Sequence, residues 1–381
     1  MLRGSVRGII LRVELALVML SAALVELSML AAPLLPSEGV ILLWGTRYDI
    51  TRFDLMDVHM QMQRHLVDIR GFSNSIDVSN NLIAYFSEDE HLQIMNLVSG
   101  AVHDIVLPAR PYVSPVWSPD GSQVALAISH FERGVTTLYV SDDWSTLREV
   151  FTFPEDGPYG GPTWSPDGRW ISQPTADGFY VVNVESGEAQ FFDDLSYTSP
   201  RWSPDGQQLA FISSIEAHDL IHVLNLTMSN VVSFGNDARW RTLEWMPDGE
   251  HLLASTGSSQ LYILDITAQD MRLSSTDEAE RRYHLVGVSP AANDFAVYSY
   301  ISGSGSGLYV YSLDSAGQIR LHVPVTNYLT PPEWSDDGQQ IAFASQEPDG
   351  TKLFVVHADG STVREIPVAG FAFSLDLEWL P

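Results

Sequence analysis

Five aspartates invite a chemical reading first. Asp120, Asp167, Asp205, Asp248 and Asp337 each stand directly before a glycine: Gly121, Gly168, Gly206, Gly249 and Gly338. Repeated carboxylates are what general acid–base work or a hard cation would need. His218 and His222 lie four apart, the spacing that shares a face at a helical metal site. The run Ser302-Gly303-Ser304-Gly305-Ser306-Gly307 brushes against the Gly-x-Ser-x-Gly turn of serine hydrolases. The chain has no cysteine, which removes disulfides, thiolate zinc sites and a thiol nucleophile together.

The surroundings of these residues narrow the chemistry. The aspartates recur in one frame: Trp117-Ser118-Pro119-Asp120-Gly121, Trp164-Ser165-Pro166-Asp167-Gly168 and Trp202-Ser203-Pro204-Asp205-Gly206, with looser copies at Trp245 to Gly249 and Trp334 to Gly338. Ser-Pro-Asp-Gly suits a type I turn, with proline presetting φ at the second position, and its carboxylate accepts turn N–H groups. One aspartate per repeat spreads the carboxylates over the fold instead of gathering them. His218 and His222 fall in a strand-like segment, where a rise of ~3.3 Å per residue separates them by about 13 Å, too far for one metal. The serine–glycine run puts Gly305 where a nucleophile would stand, so it reads as a loop between two strands. No phosphate loop or Ca²⁺ loop occurs, and no cofactor is called for.

The elements that hold these residues follow from the repeat. Taking the tryptophan position of each copy, units start at 76, 117, 164, 202, 245, 288, 334 and 379, at intervals of 38 to 47 residues. Val288-Ser289-Pro290 is a decayed copy, and Ile76 to Asn81 an earlier one. An apolar strand follows each turn, as in Ile341-Ala342-Phe343-Ala344, then a third strand such as Leu353-Phe354-Val355-Val356 and a shorter fourth. Four short strands per forty-odd residues make a propeller blade. Val40 to Trp44, Ile50 to Leu55 and His65 to Ile69 form three strands without an opening motif, while Glu378-Trp379-Leu380-Pro381 is an opening motif with nothing after it. Joined, they complete an eighth blade and close the ring. The expectation is an all-β, eight-bladed β-propeller over residues 39–381, with seven blades as the alternative. The repeat tryptophans, Trp117, Trp164, Trp202, Trp245, Trp334 and Trp379, are expected to wedge between blades.

Residues 1–38 differ in composition. Arg3, Arg7 and Arg12 precede an apolar stretch from Leu15 to Leu35 that only Glu26 interrupts with charge. This pattern predicts an apolar helix serving as a signal peptide or signal anchor. The chain would then lie outside the cytoplasm, periplasmic or at the cell surface, touching membrane only through this segment. With 20 basic against 48 acidic residues, the net charge of -28 disfavours a nucleic-acid partner, whose phosphates demand Lys and Arg.

The Pro-x-Trp-Ser-Pro-Asp-Gly unit followed by an apolar strand resembles the TolB-like, WD-repeat-like β-propeller repeats over roughly residues 70–381. That resemblance implies a propeller and is broad in function. It spans periplasmic envelope proteins, propeller domains of prolyl-oligopeptidase-type peptidases and many exported propellers. TolB itself carries an α/β domain before its propeller, whereas here the apolar segment and one incomplete blade precede the repeats. No residues remain for a hydrolase domain.

One constellation remains. The residue before each repeat tryptophan belongs to the innermost strand, near the central channel: Ser75, Val116, Thr163, Arg201, Glu244, Gly287, Glu333 and Glu378. Two or three carboxylates facing a narrow channel could hold a cation or a cationic ligand group, or Arg201 could neutralise Glu244. The expected function is therefore a non-catalytic platform for a protein or small ligand at one propeller face, as a monomer. The competing expectation is a metal-assisted lyase or glycan hydrolase using the channel carboxylates.

Overall fold

The computed structural model describes residues 39–381 except 48–49, 71–75, 80, 88, 98, 112, 131, 155–159, 176, 194–199, 216–217, 229, 236–237, 259, 274–280, 302–304, 314–318, 372–374 and 381. The expected N-terminal helix, residues 1–38, lies outside them. All regular structure among the described residues is strand, and no helix there is long and apolar enough to cross a membrane.

Eight four-stranded antiparallel sheets make eight blades, so the seven-bladed alternative does not hold. Blade 1 runs through Ile76–Ser79, Leu82–Phe86, Leu92–Asn96 and Val102–Ile105. Blades 2 to 7 follow in chain order, opening on Val116–Trp117, Thr163–Trp164, Arg201–Trp202, Trp240–Trp245, Arg281–Val288 and Glu333–Trp334. Blade 8 is composite: Asp376–Leu380 pairs with Val40–Arg47, which pairs with Ile50–Asp57 and then Met62–Arg70.

The core lies between blades, and strand alternation explains how. In blade 7, Ile341 and Phe343 pack with Ala296, Tyr298 and Val310 of blade 6. The residues between them, Ala342 and Ala344, pack with Ile41, Leu43 and Met56 of blade 8. A second strand serving two seams needs apolar side chains on both faces, hence its continuous apolar run.

The turns are built as the Ser-Pro-Asp-Gly frame dictates. The glycine N–H donates to the carbonyl three residues earlier, as in Gly121 to Ser118 at 2.8 Å and Gly206 to Ser203 at 2.8 Å. Gly206 stands at φ 68°, which a residue with a Cβ adopts at a cost. Ser203 Oγ donates to Asp205 at 2.6 Å and accepts the Gln208 N–H at 2.9 Å, while Asp205 accepts the Gln207 N–H at 3.0 Å. Met246 replaces the serine in blade 5, and there Asp248 accepts from the backbone N–H groups of Glu250 and His251.

Two expectations need correction. Gly305, Ser306 and Gly307 are not loop: they open the strand Gly305–Ser312 and pair with Ile301, Tyr300 and Ser299. A Cβ on Gly307 would lie 2.4 Å from the ring of His322, which stacks on Tyr309 with centroids 4.3 Å apart. Glycine admits that close approach. In blade 1, Ile76 is not the tryptophan-equivalent residue. Asp77 pairs with Ala84 and Val78 with Ile83, just as Val116 pairs with Ala125 and Trp117 with Val124. The blade 1 turn is two residues shorter, which displaces the register by two.

A polar clasp reinforces the seam between blades 7 and 8. Asp54, fully buried, receives Arg52 through two bonds of 2.8 Å and contacts His65 at 2.9 Å and the Gln63 amide. The Gln63 amide in turn bonds both backbone groups of Ala369, at 2.7 and 2.8 Å. Burial raises the Asp54 carboxyl, but the bonds from Arg52, His65 and Gln63 outweigh it and hold it below the usual carboxylate range.

Candidate functional site

Each innermost strand carries a tryptophan-position residue and, just before it, a channel-position residue. The tryptophan position is structural. Trp117, Trp164, Trp202, Trp245 and Trp334 are buried. Their indole N–H groups donate across the seam to the carbonyls of Asp77, Val116, Thr163, Arg201 and Gly287, at 3.0 to 3.1 Å. Trp379 donates likewise to Glu333 at 3.2 Å. Each acceptor is the channel-position residue of the preceding blade, so these bonds link the inner strands across six of the eight seams. Blade 1 has Val78 and blade 6 has Val288 at the tryptophan position, and valine offers no side-chain donor.

The channel position varies instead. By register it holds Asp77, Val116, Thr163, Arg201, Glu244, Gly287, Glu333 and Glu378 in blades 1 to 8. Asp77 therefore belongs to this set, and Ser75, outside the described residues, does not. The acids cluster on one arc, in blades 5, 7, 8 and 1. Gly287 of blade 6 contributes no side chain to that arc; a Cβ there would sit 2.1 Å from the Pro332 carbonyl oxygen. Blades 2 and 3 contribute Val116 and Thr163, and Arg201 ends the arc.

The electrostatics follow from this arrangement. Burial, followed by the nearby charges of Glu244 and Asp376, pushes Glu333 up to about 7. Burial and then the charges of Asp77, Glu333 and Asp336 push Glu378 up to about 8. Glu333 stays open to solvent, yet a solvent column between protein walls screens less than bulk water. Glu244 is also raised by burial, with Arg201 pulling the other way; the two meet at 3.5 Å, with side chains 38% and 50% exposed respectively. Asp77 is raised by burial against two N–H bonds, one of them from the Trp117 backbone at 2.7 Å. Asp376, which opens the strand Asp376–Leu380, is raised by burial too. Such groups titrate as a coupled set.

The structure thus joins Arg201 to Glu244 directly and couples Glu244, Glu333, Glu378 and Asp77 through their charges. Among the described residues no three His, Asp or Glu side chains converge closely enough to hold a metal ion. The repeat aspartates remain apart, one per turn, and Asp120, Asp167 and Asp337 are held below the usual carboxylate range. For Asp120 and Asp337 the serine hydroxyl is the main cause; for Asp167 burial opposes, and the hydroxyl and Arg169 outweigh it. The ring nitrogens of His222 bond Ser213 at 2.7 Å and Ser233 at 2.8 Å.

The model of the TolB beta propeller domain matches residues 80–285, more than half of the chain. The chain belongs to that family. Among solved structures, it is similar to the dihydro-heme d1 dehydrogenase NirN in complex with DHE (TM-score 0.58, 12% identity, covering 88% of this chain and 75% of that one). It is similar to Porphyromonas gingivalis dipeptidyl peptidase 4 (TM-score 0.57, 14% identity, 78% and 53%). A third is the oligogalacturonate lyase of Vibrio parahaemolyticus (TM-score 0.53, 11% identity, 77% and 86%). At these identities the likeness is one of fold alone. No curated protein matches the sequence.

Proposed function

We propose that this TolB-family propeller is an exported, non-catalytic binding platform whose channel takes a cationic group of a protein or small ligand. The observation that carries this reading is the polarised channel. Bonds that hold the ring are alike in six seams, whereas the residues one position away concentrate carboxylates on four blades. Coupled carboxylates whose charging is costly gain most from a cation, because the ligand relieves both their desolvation and their mutual repulsion. The export reading rests on the basic-then-apolar pattern of residues 1–38 and is checked by sequencing the N-terminus of the mature protein from its host.

A tri-lysine peptide serves as the probe. Calorimetry on the full chain is expected to show saturable binding at pH 8, weaker at pH 6, and abolished in the double variant Glu333→Gln, Glu378→Gln. The sign follows from linkage: the peptide binds the deprotonated arc, so affinity rises as pH climbs through about 7 and 8. Equal binding by wild type and double variant would sink the proposal. So would manganese-dependent cleavage of oligogalacturonate that disappears in the same variant, since that outcome makes the channel catalytic.

A further inference from the structure

A second site lies away from the channel, on the face of the Ser-Pro-Asp-Gly turns, in a cavity of about 420 Å³ between blades 2 and 3. Its walls come from four chain segments: Gln123 after the blade 2 turn, Asp142 and Arg148 flanking the next loop, Gly168 and Arg169 of the blade 3 turn, and Asn183 to Glu185. Nothing in the repeat requires two guanidinium groups in one cleft of so acidic a chain.

The arginines are held on one side and open on the other. Arg148 donates through Nη1 to the Val184 carbonyl at 2.9 Å and through Nε to Asp142 at 3.3 Å, which ties blade 2 to blade 3. Arg169 donates through Nε to Asp167 at 2.7 Å. Among the described residues no hydrogen bond is donated by Nη1 or Nη2 of Arg169, or by Nη2 of Arg148. A guanidinium oriented by one carboxylate presents its remaining N–H groups in a fixed fork, the geometry that matches a second carboxylate. Gly168, at φ 68°, has no atom within 4 Å of where a Cβ would lie, so the wall beside Arg169 is open.

The rest of the lining selects the ligand class. Asn183 Oδ1 is spent on the N–H groups of Glu185 and Ser186 at 3.1 and 2.9 Å, leaving its amide N–H groups as donors. Glu185 is an exposed acceptor, and the lining contains no aromatic ring. We infer that this cleft binds a small polyhydroxylated carboxylate of the sugar-acid class, its carboxylate on the open forks of Arg169 and Arg148 and its hydroxyls on Asn183 and Glu185. The volume suits a ligand of that size.

D-glucuronate is the probe, with glucose and acetate as partial matches, titrated by calorimetry or NMR against the full chain. Expected is saturable glucuronate binding with Kd on the order of 1 mM or tighter and at least tenfold weaker binding of glucose and acetate. Arg169→Gln changes an exposed side chain and leaves the Arg148 ties intact, so the protein stays folded; it is expected to weaken glucuronate at least tenfold. The Glu333→Gln, Glu378→Gln channel variant leaves glucuronate binding unchanged, which separates this site from the channel. No saturable binding to wild type, or binding indifferent to Arg169→Gln, overturns the inference.

Discussion

Two adjacent positions on the innermost strands obey opposite rules. At the tryptophan position, six blades carry the same residue, its indole donating to the backbone of the blade before. At the position before it, side chains range from Val116 through Arg201 to Glu333, although the backbone carbonyls of these three accept the same indole bond. A side chain wedged into a seam must fit a repeated shape, whereas one facing the channel meets no such demand. The first position reports architecture, and the second is where chemistry distinct to this chain can reside.

The comparison breaks most visibly at the wedge. Trp202→Ala removes a buried aromatic and a cross-seam bond, and is expected to destabilise the ring by about 3–5 kcal/mol, read by chemical denaturation. Gly287→Ala probes the point where the channel position does become structural. Its Cβ would meet the Pro332 carbonyl oxygen at 2.1 Å, and overpacking of that kind costs about 1–3 kcal/mol. Ser203→Ala strips the turn of a buried hydroxyl that serves Asp205 and the Gln208 N–H, an expected loss of about 1–2 kcal/mol.

The effect of the channel variant has the opposite sign. Glu333 and Glu378 have folded pKa values of about 7 and about 8, raised from 4.5. A raised acid disfavours the folded state once pH exceeds the unfolded pKa, and the penalty grows until pH passes the folded value. Ring stability should therefore fall as pH rises from about 4.5 to 8. Glu333→Gln, Glu378→Gln should flatten that slope and leave the variant more stable than wild type at pH 8, as thermal melts across pH would record.

What could be read in the sequence divides along the same line. The Trp-Ser-Pro-Asp-Gly frame repeats because each copy solves the same turn and the same seam, so its period reveals eight blades and the composite closure. Asp77 escaped because its turn is two residues shorter and its tryptophan position holds Val78, so the motif that would mark it is missing. The Asp54 clasp and the cleft between blades 2 and 3 join residues far apart in sequence, Gln63 with Ala369 and Gln123 with Asn183, and no local pattern announces such meetings. Gly305 to Gly307 mimic a loop because glycine serves turns and close strand approaches alike.

If the channel carboxylates form one coupled acidic set that a cation discharges, their titration must show it. Carboxyl-carbon NMR titration of Glu333 and Glu378, assigned through the single glutamine variants, tests it directly with and without the tri-lysine peptide. Midpoints near 7 and 8 are expected, moving down when the peptide is present. Midpoints near the ordinary 4.5 for both groups, unmoved by peptide, would contradict it.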